Sequence, residues 1–316
     1  MGPMSDQLPD QPAQHMQCME VWGGSQLTSR CVEFGGLDAW VYSKPFGKAH
    51  AGGDVYYASS CATGRISRLL LADVAGHGQT VAATAADLRT LMRRFVNRLD
   101  QTEFVRLLNQ QFAALPRTGA FATAIVTTFF EPSRRLTVCN AGHPRPLLYR
   151  AAKSGWDFLG SQGTSSRSAP SNIPLGLYDA AEYEQFDIEL EPGDCLLSFT
   201  DALIESRDAD GEMLGEDGLL RIVRVLGDVE PQKLIETLLG EIEARYPENL
   251  SEDDVTVLVV RANGRQLRFS WREKLHAFGR FTSALFRGRA PFPDAKLANI
   301  GGAIIPALGR RWRARR

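Results

Sequence analysis

The chain has 316 residues, is 44% hydrophobic and 23% charged, and carries a formal net charge of −1, the proportions of a soluble globular protein with room for one large domain or two ordinary ones. No uninterrupted apolar run reaches the roughly 18–20 residues that span a bilayer, and residues 1–17 are polar, without the apolar core of a signal peptide. Five scattered cysteines, odd in number and without a Cys-x-x-Cys pair, argue against a zinc site or disulfide framework and for a reducing, cytoplasmic setting.

Residues 1–30 read as a disordered leader, with Pro, Gln, Asp and Ser at its start. A regular pattern begins near Cys31 and defines a domain over 31–261. Residues 37–43 and 54–60 are predicted to be short strands, and 67–74 a buried strand broken by Gly76-His77-Gly78. Val81, Ala85, Leu88, Met92, Phe95 and Leu99 recur at helical spacing, and a second helix spans about 102–115. A hairpin is expected over 121–140, turning at Glu131-Pro132-Ser133-Arg134, followed by a strand at 146–150 and a loop at 151–172. A second hairpin is expected from 186–190 and 195–200 around Glu191-Pro192-Gly193-Asp194. Helices at about 215–226 and 231–246 and a strand at 254–260 close the domain. Many antiparallel strands interrupted by paired helices make this an α+β fold, a β-sandwich with helices outside. Residues 261–316 hold 14 basic and only 2 acidic residues. The tail from 262 is therefore basic and amphipathic, and is expected to meet a membrane surface or a partner through 269–316, without specific nucleic-acid binding.

Acidic residues stand at the ends of four predicted strands: Asp54 after Gly52-Gly53, Asp73 before Val74, Asp201 after Phe199-Thr200, and the pair Asp253-Asp254 before Val255. Charged groups are seldom buried unless they are paired or bind a metal. Carboxylates this far apart in sequence, with no Lys or Arg beside them, suggest a converging oxygen-ligand site for Mg²⁺ or Mn²⁺. Two such ions sharing a carboxylate would acidify a water, offset phosphoryl charge and hold an in-line attack.

The series Ala51-Gly52-Gly53-Asp54, Ala72-Asp73-Val74-Ala75-Gly76-His77-Gly78, Asn140-Ala141-Gly142-His143-Pro144, Pro174-Leu175-Gly176, Glu191-Pro192-Gly193-Asp194, Phe199-Thr200-Asp201 and Asp253-Asp254-Val255-Thr256 resembles the bacterial branch of the PPM metal-dependent serine/threonine phosphatases. That branch includes the sporulation stage II E phosphatase and stress-response regulators of sigma factors. The resemblance covers about residues 45–260 and implies a central sandwich of two mostly antiparallel sheets flanked by helices. It implies a protein phosphatase using two Mn²⁺ or Mg²⁺ ions, with a phosphorylated STAS-type anti-sigma-factor antagonist as substrate. By resemblance, Asp73 is the bridging carboxylate, Val74 adds its main-chain carbonyl, Asp201 and Asp253 bind the other metal, and Asp54 lies in or next to the metal shell. Asp254 is the alternative to Asp253. Two positions depart from the family pattern: Ala202 stands where Gly is usual, and Tyr57 where an acidic residue is frequent.

His77, between glycines and close to Asp73, is a candidate general acid, or else a loop cap. His143 is expected to make a structural hydrogen bond, and Asn140 and Asp194 to close turns. Cys61, Cys139 and Cys195 lie in or beside strands as small core residues. The competing reading of the whole chain is a catalytically weak or inactive scaffold of the same fold that binds a regulatory partner.

Overall fold

The computed structural model describes residues 14–16, 21–47, 49–61, 64–76, 79–96, 98, 100–115, 119–160 and 172–265. Strands β1 (Gln14–His15), β2 (Val21–Gly24), β3 (Thr28–Glu33), β4 (Leu37–Lys44), β5 (Asp54–Cys61) and β6 (Ile66–Val74) come first. Helices α1 (Gln79–Phe95) and α2 (Gln101–Ala113) precede β7 (Ala122–Phe130), β8 (Arg135–Ala141), β9 (Leu147–Arg150), β10 (Gly155–Phe158), β11 (Gln185–Glu189) and β12 (Cys195–Phe199). Three helices, α3 (Ala202–Glu205), α4 (Gly215–Leu226) and α5 (Pro231–Glu243), lead to β13 (Val255–Ala262).

The strands form two sheets. Sheet A has the order β1-β3-β4-β13-β12-β9-β10, and sheet B the order β11-β8-β7-β6-β5-β2. Every pair is antiparallel except β1 with β3. The sheets face each other across one core of alternate residues, including Tyr56, Leu69, Leu71, Ile125, Leu196 and Leu258. The other parity of sheet B packs under α1 and α2 through Tyr57, Leu70, Leu88, Met92, Phe104 and Phe112. The outer face of sheet A packs under α4 and α5 through Phe199, Val257, Leu219, Val223, Leu234 and Leu238. The result is the expected α+β layering, α/β/β/α. Among the described residues no helix is long and apolar enough to cross a membrane.

A buried arginine ties the helix pair to sheet B. Arg68, on β6, donates to the Val96 and Arg98 carbonyls at 3.0 and 2.7 Å just past the end of α1, and its guanidinium lies 4.6 Å over the Phe104 ring of α2. The cation thus meets the carbonyl-rich end of one helix and the aromatic face of the next.

Three expectations are corrected. The leader does not run to residue 30: β2 pairs with β5, and β3 with β4. The glycines that hide β2 in the sequence are what let it pair so closely. A Cβ on Gly23 would come within 2.5 Å of the Tyr56 carbonyl, and one on Gly24 within 2.8 Å of the Tyr56 hydroxyl. Residues 151–172 are not all loop, because β10 pairs with β9 after a turn in which Ser154 takes a left-handed backbone. Finally, β11 and β12 are not a hairpin. β11 pairs with β8 in sheet B, whereas β12 lies between β9 and β13 in sheet A. The Pro-Gly-Asp turn is a corner between sheets, fixed by Asp194. Its buried carboxylate accepts from Ala151 N–H at 2.9 Å, Glu191 N–H at 3.0 Å and Arg150 Nη1 at 2.7 Å. The basic tail beyond residue 265 lies outside the described residues.

Candidate metal centre

The acidic residues meet at one end of the sandwich. Asp54 begins β5 and Asp73 lies near the end of β6, and the two are direct register partners. Opposed residues of an antiparallel pair point to the same face, here the face towards sheet A. On that side, Asp201 follows β12 and Asp253-Asp254 precede β13; these strands are neighbours, joined beyond their ladder by Thr200 N–H on the Thr256 carbonyl at 3.0 Å. The sheet ends thus bring together residues up to 200 positions apart.

Asp54 is 2% exposed. Its Oδ2 accepts the Thr200 hydroxyl at 2.9 Å, and Thr200 Oγ1 in turn accepts Thr256 N–H at 2.9 Å. The Ser43 and Thr256 hydroxyls continue this polar seam at 2.9 Å. Burial, then the Asp73 charge, hold the Asp54 carboxyl well above the usual carboxylate range, with the bonds from Thr256 and Thr200 opposing. Asp73 is pushed up to about 8 by burial and by four negative neighbours: Asp201, Asp253, Asp254 and Glu205. Burial and then Glu205 also raise Asp201, against bonds from the Asp201 and Ala202 backbone. Repelling, partly desolvated carboxylates are an unfavourable arrangement unless cations enter among them. Among the described residues no three of them already close around one point. An all-oxygen, acidic set of this kind fits hard divalent cations.

The adjacent pair Asp253-Asp254 divides clearly. Both Asp254 oxygens accept main-chain N–H groups, from Phe46 and Gly53, at 2.6 Å each. Asp253 is half-buried, caps its neighbour's N–H at 2.7 Å, and acts on Asp73 more strongly than Asp254 does. The Val74 carbonyl reaches the same end: a Cβ on Gly53 would lie 2.8 Å from it. His77 lies outside the described residues.

His143 and Asn140 are structural. Asn140 clamps the turn from both sides, donating to the His143 carbonyl and accepting its N–H, each at 2.8 Å. The His143 ring is buried, with Nδ1 2.8 Å from the Thr123 hydroxyl, and Thr123 is the register partner of Asp73. Burial pushes this imidazole down to about 3, which makes it a neutral support at physiological pH. Gly142 has φ of 71°, and a Cβ there would strike Pro174 at 2.6 Å. The Gly-His-Pro and Pro-Leu-Gly motifs therefore pack on each other beside β7.

Sequence reasoning missed Glu205, although its position four residues after Asp201 on α3 puts both on one face of that turn. It also missed Thr200 and Thr256 as the holders of Asp54. The two departures from the family pattern are accommodated locally. Ala202 sits in α3 with no positive φ, so a methyl group costs no backbone strain. Tyr57 has the parity opposite to Asp54 and points into the helix-side core, away from the carboxylates.

The family described as stage II sporulation protein E (SpoIIE) matches residues 64–263. The chain belongs to the SpoIIE family. Phosphoserine phosphatase RsbU of Bacillus subtilis (strain 168) is 21% identical over 194 residues, which are 61% of this chain and 55% of that protein. The chain thus spans about half the length of the curated relative it matches. The solved RsbU and RsbW domains of Rv1364c from Mycobacterium tuberculosis superpose with a TM-score of 0.60 at 23% identity, over 88% of this chain and 72% of theirs. The PP2C phosphatase domain of Bacillus subtilis SpoIIE, solved with a fragment of its regulatory domain, gives 0.59 at 16% identity, over 78% and 64%. The catalytic domain of the serine/threonine protein phosphatase PstP, solved with two manganese ions, gives 0.50 at 17% identity, over 71% and 97%. The fold of this SpoIIE-family chain is that of the PPM (PP2C) phosphatases.

Proposed function

We propose that this chain is a divalent-cation-dependent protein phosphatase that hydrolyses phosphoserine or phosphothreonine. Its proposed substrate is a phosphorylated STAS-type anti-sigma-factor antagonist. The observation that carries the reading is the meeting of Asp54, Asp73, Asp201 and Asp253 at one end of the sandwich, where the four charges acting most strongly on Asp73 are all acidic. The names of the relatives, a phosphoserine phosphatase and serine/threonine phosphatases, support the same chemistry.

In this reading Asp73, the Val74 carbonyl, Asp201 and Asp253 would hold two divalent cations, with Asp54 in or next to their shell. Mn²⁺ or Mg²⁺ bound there would lower the pKa of water and offset the charge of the phosphoryl oxygens. The protein's own contribution is preorganisation. Thr200 and Thr256 fix Asp54, the β5–β6 register fixes it against Asp73, and α3 and β13 present their acids from the opposite sheet. Ala202 without backbone strain and Tyr57 in the helix-side core favour the catalytic reading over that of a scaffold binding a regulatory partner. The proposal places the protein in the cytoplasm, with 269–316 meeting a membrane surface or a partner.

The test is phosphate release from a phosphoserine-bearing STAS-type protein incubated with the full chain, with Mn²⁺ and then with excess chelator. The expected result is turnover with Mn²⁺ that chelation abolishes. Turnover indifferent to chelation, or none on any phosphoserine or phosphothreonine protein, rules the reading out.

A further inference from the structure

Between β4 and β5 the chain leaves sheet A and enters sheet B, so the span over 45–53, of which residues 45–47 and 49–53 are described, bridges the two sheets at the acidic end. Both ends of this span are bonded to one side chain. Asp254 Oδ1 accepts Phe46 N–H and Oδ2 accepts Gly53 N–H, and the carboxylate is 4% exposed. Charge-assisted bonds to a carboxylate are roughly twice as strong as neutral ones.

The glycines fit this carboxylate closely. A Cβ on Gly52 would overlap the Asp254 carboxyl group, and one on Gly53 would lie 2.7 Å from Val81 and 2.8 Å from the Val74 carbonyl oxygen. The span is fastened further by Gly52 N–H on the Ser25 carbonyl at 2.9 Å, and by Val74 N–H on the Gly53 carbonyl at 3.3 Å. Gly53 thus lies between the Asp254 carboxylate and Val74, and Asp54 is the next residue. A shift of the span would move Asp54 and the Val74 carbonyl together.

We propose that Asp254 is a positioning residue: its carboxylate latches both ends of the 45–53 span and so sets where Asp54 and the Val74 carbonyl stand for the cations. This rests on the reading of this end as a divalent-cation site. Asp253 is the ligand of the pair and Asp254 the latch. Residues that orient ligands typically change metal affinity by about 10–100-fold when removed.

The test uses the full chain and three variants, Asp254→Asn, Asp253→Asn and Gly52→Ala, with two readouts. Mn²⁺ titration calorimetry gives stoichiometry and affinity, and hydrogen–deuterium exchange gives protection of the amides over 45–54. Asp254→Asn keeps the wild-type number of ions with affinity weakened about tenfold or more, and exchange at Phe46 and Gly53 speeds up. Gly52→Ala, which displaces the carboxylate without removing it, reproduces both effects, and carries the test alone should Asp254→Asn fail to fold. Asp253→Asn loses one ion and leaves exchange over 45–54 slow. Loss of one ion in Asp254→Asn would make it a ligand and overturn the proposal, as would wild-type exchange and affinity in Gly52→Ala. A wild type that binds no Mn²⁺ would instead sink the phosphatase reading, and the exchange comparison would then decide the latch by itself.

Discussion

Asp73→Asn lowers phosphatase turnover by about 10³-fold or more, roughly 4 kcal/mol of barrier, while the fold persists. Asn keeps the shape of Asp and removes its charge, so it could not serve as the shared carboxylate that the proposed function requires. The same loss of charge relieves the repulsion that Asp201, Asp253, Asp254 and Glu205 exert on this position. The variant should therefore be inactive yet more stable than the wild type when both are metal-free at pH 8. Steady-state turnover with Mn²⁺, paired with thermal melts in chelator, separates this from simple damage. A dead variant that is also less stable than the wild type would point to misfolding rather than to a lost ligand.

Without cations the wild type loses stability as pH rises from 6.5 to 8. The Asp73 pKa moves from 3.8 to about 8 on folding, so across that interval the folded state holds a proton that the unfolded chain has released. Stability then falls as pH rises and levels off above 8. His143 has the opposite sense. Its pKa drops from 6.5 to about 3 on folding, so its contribution is lost as pH falls below 6.5. The two oppose each other between about 4 and 6.5, and of the two only the Asp73 effect remains between 6.5 and 8. The upward shifts of Asp54 and Asp201 have the same sign as that of Asp73. Above pH 8 the buried Cys139 and Cys195 thiols, pushed up to about 12, begin to contribute in the same direction. After allowance for screening at the half-buried Asp73, the fall over 6.5–8 is on the order of 1 kcal/mol, or about 2–4 °C in Tm. Melts in chelator should show it, and saturating Mn²⁺ or Asp73→Asn should flatten it. A melting temperature that is flat or rises over this interval in chelator would contradict the crowding of negative charge at Asp73.

The acidic end was legible in the sequence because each carboxylate follows or precedes an apolar run whose length and β-branching mark a strand. Strand ends of one sandwich gather at its two rims, and the family resemblance assigned these carboxylates to the same one. The choice between Asp253 and Asp254 did not follow. It depends on Phe46 and Gly53, about 200 positions away, whose N–H groups leave no trace in residue type. Nor could the fate of the turn at 191–194 be read: Pro-Gly-Asp looks the same whether its flanking strands pair or part into different sheets. β2 was hidden because its two glycines, needed for close approach to Tyr56, are residues that ordinarily weaken a strand. Thr200 and Thr256 read as β-branched strand residues, and only their parity, towards the other sheet, makes them supports for Asp54.

The most direct measurement is a calorimetric titration of the metal-free full chain with Mn²⁺, run beside Asp73→Asn. Two ions bound per chain in the wild type, with binding largely lost in the variant, is the result the arrangement of Asp54, Asp73, Asp201 and Asp253 predicts. Heat-silent wild-type protein at millimolar Mn²⁺, or unaltered binding in Asp73→Asn, would contradict it.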